Sequence, residues 1–285
     1  MNVFDSFIGR PSDDAAPTGQ PQGFRLSFGA EELAVLVQSL GGDALMGLGE
    51  SPLANLSPRE KTLITQAATH SLLARGYLAP LEDGEVGIDD AVRKIITIAL
   101  HPRHIITQIH RSSEQVAALF HYLGAEQLAI AHQTHLGAHF LDVTFQWPDF
   151  PAMIGAQLAP YLPPSETSRA TLLPTAVLRQ VKSLVQEDAK AEAAGLLFQH
   201  EFPRQDGMAF LDALARPQFT WHIHIASWQG RDLGPYENAL TILCGDRGCW
   251  GVQGEGAGDA SGMAVVYGMT QAALNRFFAP VMSRA

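Results

Sequence analysis

Two stretches of the chain read almost alike: ALHPRHIITQIH, from Ala99 to His110, and ALARPQFTWHIH, from Ala213 to His224. Each opens on Ala-Leu, meets a proline within a few residues (Pro102, Pro217) and closes on an alternating segment ending in Ile-His. Proline lacks the amide hydrogen that a helix interior needs and pushes the residue before it into extended backbone. Each phrase therefore marks a corner where a helix gives way to a strand.

The surroundings repeat as well. FRLSF at Phe24 alternates like a strand and leads into a helix with Leu33, Leu36, Val37 and Leu40 on one face, stopped at Gly41-Gly42. ATLLPTAVLRQVKSLVQ, from Ala170, repeats the pairing with Val177, Val181, Leu184 and Val185 on the stripe. After Pro102, alternation covers 104–111, 116–123, 127–132 and 138–145; after Pro217 it covers 219–228, 238–244, 249–254 and 263–268. Turn residues separate the segments, so each set predicts a four-stranded antiparallel meander. Both meanders hand over to a helix, one marked by Ala159-Pro160 and the other by Ala279-Pro280.

The expected fold class is α+β: two pseudo-symmetric copies of an antiparallel meander with flanking helices, at 24–163 and 170–285, built as separate halves or as one integrated fold. The first copy carries an additional helical segment over 57–100, with an N-cap signal at Ser57 and Pro58 at the first helical position. Residues 1–23, rich in Pro, Gly, Ser and Asp, read as a flexible tail.

Of the 285 residues, 46% are hydrophobic, enough for a substantial core, and the formal net charge of -10 argues against a nucleic-acid partner, whose phosphates would be repelled. The same charge disfavours an anionic membrane surface, and no apolar run reaches the roughly 20 residues of a membrane helix. The N-terminus lacks the cationic start and apolar core of a signal peptide, which predicts a cytoplasmic protein. Self-association is compatible with all of this. Cys244 and Cys249 flank GDRG, and the expectation is two reduced thiols facing each other across a hairpin.

Eleven histidines raise a metal question. His132, His135 and His139 have a spacing that would share a helix face, but the alternation around Gly137 makes the segment two strands and a turn. A histidine-using metal protein, or an enzyme of unknown reaction, is the alternative reading; no catalytic residue, metal ligand or cofactor is assigned. His222 and His224 alternate with Trp221, Ile223 and Ile225 and should face away from that apolar set, with His110 as their counterpart in the first copy. The glycine-rich GVQGEGAGDASG lacks the Lys-Ser/Thr ending of a phosphate loop. The 57–100 segment has the outline of a winged helix, but Arg93-Lys94 is a meagre basic face for DNA.

The order of elements resembles the EspG family, cytosolic chaperones of type VII (ESX) secretion systems. The residues that carry the resemblance are FRLSFGAEELAVLVQSLGG, LLARGYLAPLEDGEVGIDDAVRKIITIALHPRHIITQIH, FTWHIHIASWQG and the closing GMTQAALNRFFAPVM, together spanning about 24–285. The resemblance implies a binding protein that holds the helical tips of PE–PPE secretion substrates and keeps them soluble. In that family part of the contact comes from the loop joining the first two meander strands of the first half; here that loop, 111–115, is short. The corresponding loop of the second half, 229–237, is longer, and its Arg231, Asp232 and Tyr236, with Trp228 just before it, are the candidate partner-binding residues.

Overall fold

The computed structural model describes residues 24–43, 45–49, 51–81, 85–112, 116–124, 128–146, 149–162, 170–229, 232–254 and 262–283, apart from the side chains at 24, 144–146, 232 and 235. The expected N-terminal tail and the glycine-rich stretch at 255–261 lie outside the described residues.

The first half runs β1 (Phe24–Gly29), α1 (Ala30–Ser39), α2 (Pro58–Ala74), a small hairpin of β2 (Leu78–Pro80) and β3 (Val86–Ile88), then α3 (Asp90–Leu100). The meander β4 (His104–Ser112), β5 (Val116–Leu123), β6 (Leu128–His135) and β7 (Ala138–Gln146) follows, closed by α4 (Phe150–Leu158). The second half repeats the order with β8 (Thr171–Pro174), α5 (Thr175–Gln186), α6 (Lys190–Gln199), α7 (Arg204–Ala215), β9 (Phe219–Gln229), β10 (Asp232–Gly245), β11 (Gly248–Gly254), β12 (Met263–Gly268) and α8 (Gln271–Met282). The fold is α+β with two pseudo-symmetric meanders. The helix α6 is an element that the sequence reading did not place.

All the meander strands belong to one ten-stranded sheet in the order β1-β7-β6-β5-β4-β9-β10-β11-β12-β8. The halves join where β4 pairs antiparallel with β9, from His104↔Ser227 to Ser112↔Phe219. The two proline-marked corners thus feed the two central strands of the sheet.

Side chains alternate across a strand, so the sheet has two faces with separate cores. On one, Ile106, Leu123, Ile223, Ile225, Leu240 and Ile242 pack against α4 and α8, whose Phe150 and Phe278 rings meet edge to face at 4.9 Å. On the other, Leu26, Phe28, Ile105, Tyr122 and Ile130 bury against α1, α2 and α3, while Leu173, Leu243, Trp250 and Val266 bury against α5, α6 and α7. Local chemistry fixes the helix starts. Ser57 and Glu60 form a reciprocal capping box on α2, and the Asp89 carboxylate accepts from the Ala91 and Val92 amides on α3. Glu32 accepts from Gly29 N–H, Ser71 and Arg75, which ties the start of α1 to the end of α2.

Three expectations need correction. The stretch expected as a loop, 229–237, is largely strand: β10 starts at Asp232 and pairs Leu233 with Trp228. The glycine and proline at 234–235 disguise that strand in the sequence, and β10 absorbs them with register shifts between Leu233 and Tyr236 and between Tyr236 and Asn238. His110 is no counterpart of His222 and His224. Its neighbour Ile109 is the residue opposite His222, so His110 points to the other face, where its ring lies 5.3 Å from Phe219. Cys244 and Cys249, expected as separate thiols, are joined as a disulfide; they are directly opposed on β10 and β11, 4.1 Å apart at Cα, behind the two-residue turn Asp246-Arg247.

Candidate partner-binding face

The face that carries two helical layers is not fully covered. In the first half α3 packs on β5 and β6; in the second, α7 packs on β10 and β11. Between them the central strands β4 and β9 present a trough of partly exposed residues. The register places Thr107, Ile109 and Arg111 of β4 opposite His224, His222 and Thr220 of β9. Val116, Ala118 and Phe120 of β5 flank them on one side, and Ala239 and Thr241 of β10 on the other. The contrast with the neighbouring positions is sharp. Ile106, Ile223 and Ile225, on the opposite face of the same strands, are fully buried, whereas Val116 is 68% exposed.

As expected from the alternation, His222 and His224 point away from Trp221, Ile223 and Ile225 and stand on the trough floor. His222 Nδ1 lies 3.1 Å from Thr241 Oγ1, and the His224 ring is 4.8 Å from that of Tyr236. Partial burial lowers the pKa of both imidazoles, and for His222 the charges of Arg111, His224 and Lys182 push in the same direction. Lys182, close enough to act on His222, comes from α5. The first-half rim is the turn at Met46–Leu48: Gly47, at φ +85°, lies so close to Phe120 that a Cβ would sit 2.7 Å from its ring.

That turn is held by a buried polar chain. The Tyr122 hydroxyl donates to the Met46 carbonyl and lies 2.8 Å from His132 Nδ1; His132 Nε2 lies 3.0 Å from His139 Nδ1, which also lies 3.2 Å from Thr134 Oγ1. With the tyrosine proton on Met46, His132 Nδ1–H is the donor toward the phenol oxygen and the Met46 carbonyl, and His132 Nε2 then accepts from His139. Burial pushes the pKa of His132 down to about 4, helped by His139 and opposed by the Met46 carbonyl. The histidines singled out for a metal thus spend their facing nitrogens on each other, and His135 is exposed at the strand end. Among the described residues no group of three His, Cys, Asp or Glu side chains is placed to hold a metal ion.

Of the residues expected to bind a partner, Tyr236 is 40% exposed beside His224, on the trough. The slip between Tyr236 and Asn238 puts these two residues on opposite faces, with Tyr236 opposite Ala226 and Asn238 opposite Ile225. Trp228 is half-buried against the first-half core, its Nε1 buried without a hydrogen-bond partner among the described residues. Arg231 and the side chain of Asp232 lie outside the described residues. The sequence reading missed Ile109, Arg111, Val116 and Lys182. Only the exposed alternation of β4 and β5 hinted at them, and nothing local says which part of a sheet face its helices leave open.

No family model matches the chain, and no curated protein does. Among solved structures, the chain is similar to the Mycobacterium tuberculosis type VII secretion system chaperone EspG5, solved in complex with a PE25–PPE41 dimer. The TM-score is 0.65 at 10% identity, over 91% of this chain and 96% of that one. The two share a fold. A Bacillus halodurans chain named for adenylate cyclase aligns at a TM-score of 0.15 and 10% identity, over 64% of this chain and 74% of that one, which carries no argument. No helix among the described residues is long and apolar enough to cross a membrane.

Proposed function

We propose that this protein is a cytosolic secretion-chaperone-like binding protein that holds a helical protein partner and keeps it soluble, without a reaction centre of its own. The observation that carries the reading is the open trough between two helical layers, floored by Ile109, Val116, His222, His224 and Tyr236. A stable interface there would bury about 1,200–2,000 Å², and aromatic side chains are the usual anchors. The two halves, 24–163 and 170–285, act as units that each supply one wall. The EspG-like fold supports a client of the type VII substrate class, a helical tip that would otherwise expose apolar side chains.

The test begins with affinity purification from native lysate and identification of the co-purifying chain, followed by calorimetry on the purified pair. Tyr236→Ala and Trp228→Ala should each weaken binding about tenfold, as for buried aromatic anchors. Arg231→Ala and Asp232→Ala assess the hairpin tip. Undiminished affinity in both aromatic variants removes the trough as the site, and turnover of a small molecule by the purified chain overturns the binding-protein reading.

A further inference from the structure

The trough has a charge of its own. The whole chain carries a formal net charge of -10, yet among the described residues the charges acting on His222 are Arg111, His224 and Lys182, with no carboxylate among them. These groups come from three elements and lie beside a fourth. Arg111 projects from β4, His222 and His224 from β9 and Lys182 from α5, while β10 contributes the neutral Thr241 hydroxyl and Tyr236 phenol. The cationic patch lies beside an apolar strip, since Arg111 pairs with Val116 and Ile109 with Ala118.

We propose that the trough selects an acidic partner: an amphipathic helix that lays apolar side chains on Ile109, Val116 and Ala118 and sets carboxylates against Arg111, Lys182, His222 and His224. The proposal rests on the docking reading above and adds the chemistry of the partner. Spacing supports it. Residues two apart on a strand, such as His222 and His224, stand about 7 Å apart, and carboxylates one turn apart on a helix have Cβ atoms about 5–6 Å apart, so one acidic helix face can address both imidazoles. Arg111 and Lys182 are exposed and therefore available.

The arrangement also links binding to protons. Without a partner burial disfavours the charged form of both imidazoles, and for His222 the charges of Arg111, His224 and Lys182 act the same way. A carboxylate seated against them favours the imidazolium, so the complex takes up protons and affinity rises as pH falls from 8 to 6.

The test uses the full chain and fluorescent, hydrocarbon-stapled helical peptides with a leucine stripe flanked either by glutamates or by the isosteric glutamines, read by anisotropy. The glutamate peptide should bind about tenfold more tightly than the glutamine peptide at pH 6.5 and low salt. Arg111→Ala with Lys182→Ala should bring it down to the glutamine level, and His222→Asn with His224→Gln should flatten its pH dependence. Ile109→Asn and Tyr236→Ala should weaken both peptides. Equal affinity for the two peptides, lowered in those last variants, overturns the acidic selection and leaves the docking surface standing. Failure of both peptides to bind, or binding indifferent to every trough substitution, overturns both.

Discussion

Between pH 7.5 and 4.5 the unfolded chain takes up protons on histidines that the folded chain holds neutral. His121 is fully buried against Phe150, its Nε2 2.8 Å from Gln108 Nε2, and burial lowers its pKa to about 3; that of His132 falls to about 4. In the unfolded chain both return to about 6.5. A depressed histidine pKa means that the unfolded state binds more protons below 6.5, so the stability present above that pH is lost as pH falls toward the folded values. Each group costs about 1.4 kcal/mol per pH unit in this window, and two groups over roughly two units cost about 5 kcal/mol by pH 4.5. That rivals the whole stability of many domains, about 5–15 kcal/mol. His110, His139, His222 and His224 are shifted the same way and add to the effect. Urea unfolding at pH 7.5, 6.5, 5.5 and 4.5 measures it. In His121→Gln, which can still accept from Gln108, the slope below pH 6.5 should fall by about 1.4 kcal/mol per pH unit. A midpoint that does not move between pH 6.5 and 5, or a slope unchanged in the variant, refutes the argument that these imidazoles fold uncharged.

Tyr122→Phe should destabilise the protein by about 1–3 kcal/mol by urea unfolding, because it removes the buried hydroxyl shared by the Met46 carbonyl and His132 Nδ1. Gly47→Ala forces a Cβ toward the Phe120 ring in left-handed backbone and should cost about 1–3 kcal/mol in the same assay. Phe150→Ala removes a fully buried ring between His121 and Phe278 and should cost about 3–5 kcal/mol, lowering the thermal midpoint measurably. Replacing Cys244 and Cys249 together by alanine should leave glutamate-peptide binding unchanged, since both are buried on the face opposite the trough; a large loss of binding there tells against the trough.

Local pattern made most of the fold legible. The meander strands announce themselves by alternation and are bounded by residues with turn chemistry, as at Leu136-Gly137, where both residues take positive φ. The helix α6 escaped because Ala193, Ala194 and Leu197 form a narrow small-residue stripe that gives little periodic contrast. The pairing of β4 with β9 was beyond sequence reading, since strand order is a long-range property. That pairing decides which way His110 faces, and matching positions in the two repeats pointed the wrong way. The candidate site was legible only in pieces: His222, His224 and Tyr236 could be named, but their company could not. Arg111 comes near them only once the two halves share a sheet, and Lys182 only once α5 folds over its own half.

The repeated order of elements itself accounts for an open face. A half-sheet with one meander must cover two faces, and here each half sends its closing helix to one face and three helices to the other. On the first face α4 and α8 meet at the centre and pack on each other, so the junction of β4 and β9 is sealed beneath them, with Ile223 and Ile225 fully buried. On the second face each set of three helices stays over its own half, because its apolar stripe answers the strands of that half: Ile105, Tyr122 and Ile130 in one case, Leu243, Trp250 and Val266 in the other. Among the described residues, no helix of either half turns an apolar stripe to the junction on this face. The residues left there are accordingly mixed, Thr107 and Thr241 beside Ile109 and Val116, with two histidines whose charged form burial disfavours. Such a surface is wet enough to remain open when the protein is alone and apolar enough to hold a partner, which is the combination a reversible client site requires.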